Sequence, residues 1–177
     1  MRIQYRVISL MAILLFFFVA CKNGNSIKNQ VLNAIGANVP IPDKYMIYKN
    51  GKIDSLSFYF DNLTIVSFSN YSVCPSCDIM KIEDWFTLAT EIEDLNCSFV
   101  YIVNNKIDRN IKAQVINDRN NVSIMLADDK LFNEFANKIA PINTFLVDKN
   151  KKIVLVGNPV HNDKLWNLYK KAILRLR

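Results

Sequence analysis

The chain has 177 residues, 51% of them apolar and 21% charged, a composition that excludes a disordered chain and suffices for one hydrophobic core. Its formal charge of +6 falls on scattered lysines, with small clusters at Lys149–Lys152 and Lys170–Arg177. No basic stripe is interleaved with aromatics, which argues against nucleic acid as a partner, and the second cluster suits a helix C-terminus.

At the N-terminus, Arg2 and Arg6 precede an apolar run from Val7 to Ala20. A charged start followed by an apolar run of about 7–15 residues is the layout of a signal peptide. The run is short against the roughly 20 residues a membrane-spanning helix needs. It ends in Phe18-Val19-Ala20-Cys21, and polar Lys22-Asn23-Gly24-Asn25-Ser26 follows at once. This ending resembles the lipobox of bacterial lipoproteins, although Phe18 stands where that pattern usually has leucine. The resemblance implies removal of residues 1–20, lipidation of Cys21 and a lipid bilayer as partner through that anchor. The alternative is an uncleaved anchor with a spectator cysteine. Either way the domain belongs outside the cytoplasm, in the cell envelope, where thiol redox state is managed separately. No acidic run follows Cys21, which favours the periplasmic side. Residues 21–39 are polar and Asn-rich and read as a tether, with the folded domain over 40–177.

Tyr45–Tyr48 and the stretch after Asn50-Gly51 read as two strands of a hairpin, because Asn-Gly suits a tight turn. Leu63–Phe68 is a short apolar, β-branched run of the kind found in buried central strands. Next, Ile79, Ile82, Trp85, Phe86, Ala89 and Ile92 recur every three or four residues, with polar residues between them. That spacing predicts an amphipathic helix. Phe99–Val103 returns to strand character. Asp108–Asp118 reads as a weaker helix, Val122–Leu126 as a strand, and Leu131–Ile139 as a short helix ending before Pro141. Thr144–Val147 and Ile153–Val156 are strands joined by a polar turn. Leu165, Leu168, Tyr169, Ala172, Ile173 and Leu176 mark a last helix capped by Asn162 or Asp163. A βαβ unit, an insert and a ββα unit imply an α/β fold: a central mixed sheet with helices on both faces.

Cys74-Pro75-Ser76-Cys77 falls between the central strand and the amphipathic helix. A helix start carries unpaired N–H groups and partial positive charge, which stabilise a thiolate. A Cys74 thiol there falls below its free pKa of about 8.5. Pro75 suits the first helical position, and residues three apart on a helix are near enough to bridge. Cys74 can then attack a substrate disulfide, and Cys77 can attack Cys74 to release the reduced substrate. The reverse sequence oxidises a substrate. A zinc site would need more ligands, and Cys97 and His161 are the thin remaining candidates in the domain. A structural disulfide across so short a loop gains little. A redox-silent domain also stays open. No metal or cofactor is expected.

These residues resemble the thioredoxin superfamily, in particular the membrane-tethered, TlpA/ResA-like thiol–disulfide oxidoreductases of bacterial envelopes. The resemblance covers roughly Ile53 to Arg177. It rests on Ile65-Val66-Ser67-Phe68 before Cys74-Pro75-Ser76-Cys77, on Thr144-Phe145-Leu146-Val147-Asp148 and on Lys152-Ile153-Val154-Leu155. It implies a thioredoxin-like three-layer fold, with the N-terminal hairpin and the insert as additions. It implies Cys74 as nucleophile, Cys77 as resolving thiol, disulfide-bonded proteins as substrates and a membrane thiol or electron donor as partner. Pro75 and Ser76 would line the substrate site. The resemblance also implies a cis-proline facing the cysteines, placed directly before the Thr-Phe-Leu strand or its Asn-Thr extension. Here Ile142 holds that register and Pro141 stands one residue earlier. Either a one-residue shift keeps Pro141 in the role, which is the expectation, or the feature is absent. Val73 replaces the tryptophan common before the first cysteine. The rival reading is a non-catalytic lipoprotein that binds a metal or partner on the same fold. A copper-binding reading, as in Sco-like relatives, would want His161 beside the thiols, and those relatives separate their cysteines by three residues. A thiol peroxidase would want a Thr-x-x-Cys setting, which Asn70–Cys74 lacks. Cys97 reads as a small buried hydrophobe and His161 as a surface residue.

Overall fold

The computed structural model describes residues 27–39, 41, 47–49, 52–54, 63–69, 82–104, 122–131, 133–134 and 142–176. Two compact units divide it, Met1–Ala34 and Ile35–Arg177. In the first, residues 27–34 are helical, with Ile27 and Leu32 exposed. The leader, Cys21 and the Asp108–Asp118 helix lie outside the described residues. Among those described, no helix is long and apolar enough to cross a membrane.

The second unit is built on a sheet of seven strands. They are β1 (Ile47–Lys49), β2 (Lys52–Asp54), β3 (Thr64–Phe68), β4 (Ser98–Asn104), β5 (Ser123–Ala127), β6 (Thr144–Val147) and β7 (Ile153–Val156). Their order is β2-β1-β5-β4-β3-β6-β7. β3, β4 and β5 run parallel, while β6 pairs antiparallel to β3 and β7 antiparallel to β6. The two strands of the expected hairpin pair, with Lys49 opposite Lys52, while Asn50 and Gly51 lie outside the described residues. It joins the sheet through β1, antiparallel to β5. Every residue of β3 and β6 is buried, which is why these segments read as continuous apolar runs rather than alternating ones.

Helix α1 (Ile82–Glu91) and helix α2 (Asp163–Leu176) supply the apolar stripes that cover one face. Ile82, Trp85, Phe86 and Ala89 of α1 and Trp166, Tyr169 and Ile173 of α2 pack with Ile65, Tyr101, Val103 and Leu146 of the sheet. The alternate residues Val66, Phe68, Val100, Ile102 and Phe145 are buried too, so both faces are covered. Asn162 caps α2: its Oδ1 accepts from the Leu165 amide at 3.1 Å, leaving Asp163 as the first helical residue. The short helix after β5 begins at 129, earlier than the apolar spacing indicates, because Asp128 Oδ1 accepts from the Leu131 amide at 3.0 Å. Residues 135–139 of that helix lie outside the described set.

Asp148 organises the β6–β7 turn by accepting from the amides of Asn150 and Lys152 at 2.8 and 2.9 Å. On the edge beside it, Gly36 donates to Ile153 O and Ile153 donates to Ala37 O. Val39 and Ile41 are buried. Residues 36–39, within the stretch read as tether, are therefore hydrogen-bonded to the sheet.

Gly157, directly after β7, has φ +114°, a backbone conformation costly for L side chains. Its amide donates to Thr144 O, and its carbonyl accepts from the Tyr169 hydroxyl at 2.8 Å. A Cβ there would stand 3.0 Å from Leu165 Cδ2. Gly157→Ala is expected to cost about 1–3 kcal/mol, read as a lower urea midpoint at unchanged slope.

Candidate functional site at the carboxyl end of the parallel strands

In open α/β sheets, ligands meet the chain where strand order reverses, beyond the carboxyl ends of the strands. Here the reversal falls at β3, with α1 leading away to β4 on one side and β6 pairing on the other. The chain leaves the sheet at Ser69, whose amide donates to Ile102 O, and resumes at Ile82 on α1. Cys74, Pro75, Ser76 and Cys77 belong to the connection 70–81 and lie outside the described residues, as does Pro141. The surroundings of that connection are described.

β6 brings the Pro141 segment to this end. Phe68 donates its amide to Asn143 O at 2.8 Å, and Asn143 Nδ2 donates back to Phe68 O at 3.3 Å. Ile142, half-buried, therefore sits next to the point where β3 gives way to the cysteine segment.

A group of hydroxyls lines the same end. Ser67 and Thr144 are cross-strand partners, 2% and 0% exposed, with their oxygens 3.0 Å apart. Thr144 has one hydroxyl proton and gives it to Asn143 Oδ1 at 3.2 Å, so Ser67 is the donor to Thr144. Ser69 is buried at 7% exposure, and among the described residues its Oγ has no hydrogen-bond partner. Leaving such a group unsatisfied costs about 1–3 kcal/mol, so folded proteins keep few of them. By strand alternation Ser67 and Ser69 share the face of Ile65, the face α1 covers. None of the buried polar residues described is a carboxylate.

The first turn of α1 carries Glu83 and Asp84. Asp84 Oδ2 lies 3.4 Å from His161 Nε2. His161 is exposed, as expected, yet the fold carries it to the helix that follows the cysteines. At the far end of α1, Glu91 accepts from Trp166 Nε1 at 2.8 Å and Lys170 Nζ at 3.2 Å, tying α1 to α2. The indole hydrogen bond, with a further contribution from Lys170, holds the Glu91 carboxyl below its usual range.

Cys97 lies at the opposite end of the strands, just before β4, half-buried beside the core. Burial pushes its thiol up to about 12, which leaves almost no thiolate at neutral pH. Iodoacetamide at pH 8 is expected to leave Cys97 unmodified during a labelling that consumes Cys74, as read by peptide mass spectrometry. Comparable labelling of both would contradict this. Among the described residues no group of three His, Cys, Asp or Glu side chains could hold a metal.

No protein-family model and no curated protein matches the chain. Solved structures do match. The thioredoxin domain of a thiol-disulfide oxidoreductase from Bacteroides vulgatus superposes with a TM-score of 0.58 at 18% identity, covering 79% of this chain and 98% of that one. A thiol:disulfide interchange protein from Bacteroides sp. gives 0.54 at 16% identity, covering 79% and 91%. A SCO1/SenC family lipoprotein from Bacillus anthracis gives 0.54 at 15% identity, covering 82% and 96%. The chain has the thioredoxin-like α/β fold.

Proposed function

From a thioredoxin-like fold with a Cys-Pro-Ser-Cys sequence at its switch point, we propose a thiol–disulfide oxidoreductase of the bacterial cell envelope, working as a reductant. The observation that carries this reading is chain order: the cysteines fall between the carboxyl end of β3, where Phe68 pairs with Asn143, and the start of α1. A thiolate at a helix start is stabilised by unpaired amides and the helix dipole. Cys74 attacks one sulfur of a substrate disulfide and forms a mixed disulfide, releasing the other sulfur as a thiolate that takes up a proton. Cys77, as thiolate, then attacks Cys74 Sγ; the Cys74–Cys77 disulfide forms and the second substrate thiol leaves. Pro75, Ser76, Pro141 and Ile142 line the path of the substrate chain, with Pro141 as the cis-proline. A membrane-bound thiol or electron donor returns the pair to the reduced state. Residues 1–20 act as signal peptide, and lipidated Cys21 holds the domain on the membrane, facing the periplasm.

The test is insulin reduction by the full chain with dithiothreitol as electron source. Precipitation of the insulin B chain faster than with dithiothreitol alone supports the proposal, and equal rates contradict it.

The His161–Asp84 contact favours one second reading. It brings the histidine to α1, the helix entered through the cysteine segment, where a metal-binding lipoprotein would use it with Cys74 and Cys77. Zinc or copper co-purifying at one equivalent, and lost on Cys77→Ser, would support that reading over the catalytic one.

A further inference from the structure

The charges of the second unit are sorted between the two ends of its sheet. β3, β4 and β5 run parallel and β6 runs against β3, so the β6–β7 turn at 148–152 lies at the amino end of the parallel strands, away from the end where β3 leads towards α1. α2 reaches the same amino end. It runs alongside α1 in the same direction, since His161 meets Asp84 near the start of α1 and Lys170 meets Glu91 at its end. Exposed Lys149 and Lys152 in the turn and exposed Lys171 and Arg175 on α2 gather there. Lys151, which donates to Ile41 O, and Lys170 add to them. The described acids at this end are Asp148, held by the turn amides, Glu91, held by Trp166 and Lys170, and Glu93 and Asp94 after α1. Cations therefore outnumber acids. The carboxyl end carries the opposite sign: Glu83, Asp84, Asp128, Asp129 and Asp163 stand there against Lys130 and Lys164.

Two further observations point to what the basic end meets. Among the described residues of the second unit, the large apolar side chains left exposed are Ile35, Leu168, Leu174 and Leu176, and all but Leu168 sit at the amino end. The chain also enters the unit there, where Gly36 donates to Ile153 O and Val39 donates to Lys151 O. The segment that leads back to Cys21 thus leaves the domain from its basic end.

We propose that this amino end is a docking surface for a bilayer of anionic phospholipid. The inference rests on the membrane tether of the reading above and is independent of its redox chemistry. Exposed leucine and isoleucine among lysine and arginine is the chemistry of interfacial binding: apolar side chains enter the headgroup boundary, and cations meet the lipid phosphates. The acidic carboxyl end is repelled by the same surface. The separation of charge orients the domain, with Lys149, Lys152, Lys171 and Arg175 on the lipid. The carboxyl end of β3, which leads into the cysteine connection, is turned away from the bilayer, where a protein substrate can approach.

The test is lysine footprinting on the full chain carried by vesicles, either phosphatidylcholine alone or equal parts phosphatidylcholine and phosphatidylglycerol. Acetylation by N-hydroxysuccinimidyl acetate is timed for each lysine peptide by mass spectrometry. Lys149, Lys152 and Lys171 are expected to react about fivefold more slowly on the anionic vesicles, the factor for one basic side chain held at an anionic surface, while Lys130 and Lys164 do not change. At about 1 M salt, where the Debye length is roughly 3 Å, the difference is expected to shrink. Lys171→Glu with Arg175→Glu, both at exposed positions, is expected to restore the rates at Lys149 and Lys152. Inorganic phosphate added to the neutral vesicles is expected to slow nothing; slowing by phosphate alone would mark an anion site and overturn the docking surface. Equal rates on both vesicles overturn it too, and leave this end to an acidic protein or to solvent. So does slowing that is the same at both ends of the sheet. If the chain stays off both vesicles, the tether reading fails and this inference with it. If both vesicles carry the chain and the rates agree, only the docking surface fails.

Discussion

Serine in place of Cys74 is expected to bring insulin reduction down to the rate of the reductant alone. Cys77→Ser is expected to stall after one step, with a protein–substrate disulfide accumulating on non-reducing gels. The asymmetry follows from the order of bonds. In the proposed mechanism Cys74 makes the first new S–S bond, and a serine hydroxyl there is neither ionised nor polarisable enough to displace a thiolate. Cys77 is needed only to break the mixed disulfide, so its loss preserves capture and abolishes release. Equal residual turnover in both variants would contradict the assigned roles. Loss in the Cys77 variant without any trapped species would shift weight to the metal-binding reading.

The second large effect is on the scaffold. Trp85 is 2% exposed on α1, with its ring centroid 4.7 Å from that of Phe99 on β4. It is the largest side chain α1 sends into the shared core. Trp85→Ala is expected to cost about 3–5 kcal/mol, through lost burial and the cavity left behind. For a domain of this size that lowers the melting temperature by roughly 10 °C or more, seen by near-ultraviolet circular dichroism. Thr87→Ala, on the exposed face of the same helix, should stay within about 0.5 kcal/mol of the native protein. A small effect at Trp85 would mean that α1 is not anchored through this face.

Much of this architecture was legible from local chemistry. β3 and β6 read as continuous runs because these neighbouring strands in the middle of the sheet are buried on both faces. The stripe Ile82, Trp85, Phe86, Ala89 carries the helical period because only one side of α1 meets the sheet. Asn50-Gly51 marked the hairpin by turn chemistry, but no local signal said that β1 would pair with β5. The cap at Asp128 was hidden because the apolar spacing starts only at Leu131.

The polar end of the site was not legible. Ser67 and Thr144 stand 77 positions apart, and only the antiparallel register of β3 with β6 makes them partners. A serine at a strand end gives no sign of whether its oxygen finds a partner, and the Ser69 oxygen finds none among the described residues. The approach of His161 to Asp84 depends on where β7 delivers the chain before α2. Residues brought together only by the tertiary fold, such as Ser67 with Thr144 and His161 with Asp84, carry no sequence period.

The most direct measurement is a redox titration of the full chain in glutathione buffers, with the 74–77 bond quantified by peptide mass spectrometry. The account predicts one reversible intramolecular disulfide with a midpoint between about −270 and −120 mV, towards the lower value for a reductant. A chain that never joins Cys74 to Cys77, or a bond that resists reduction below about −300 mV in the manner of a structural disulfide, would contradict it.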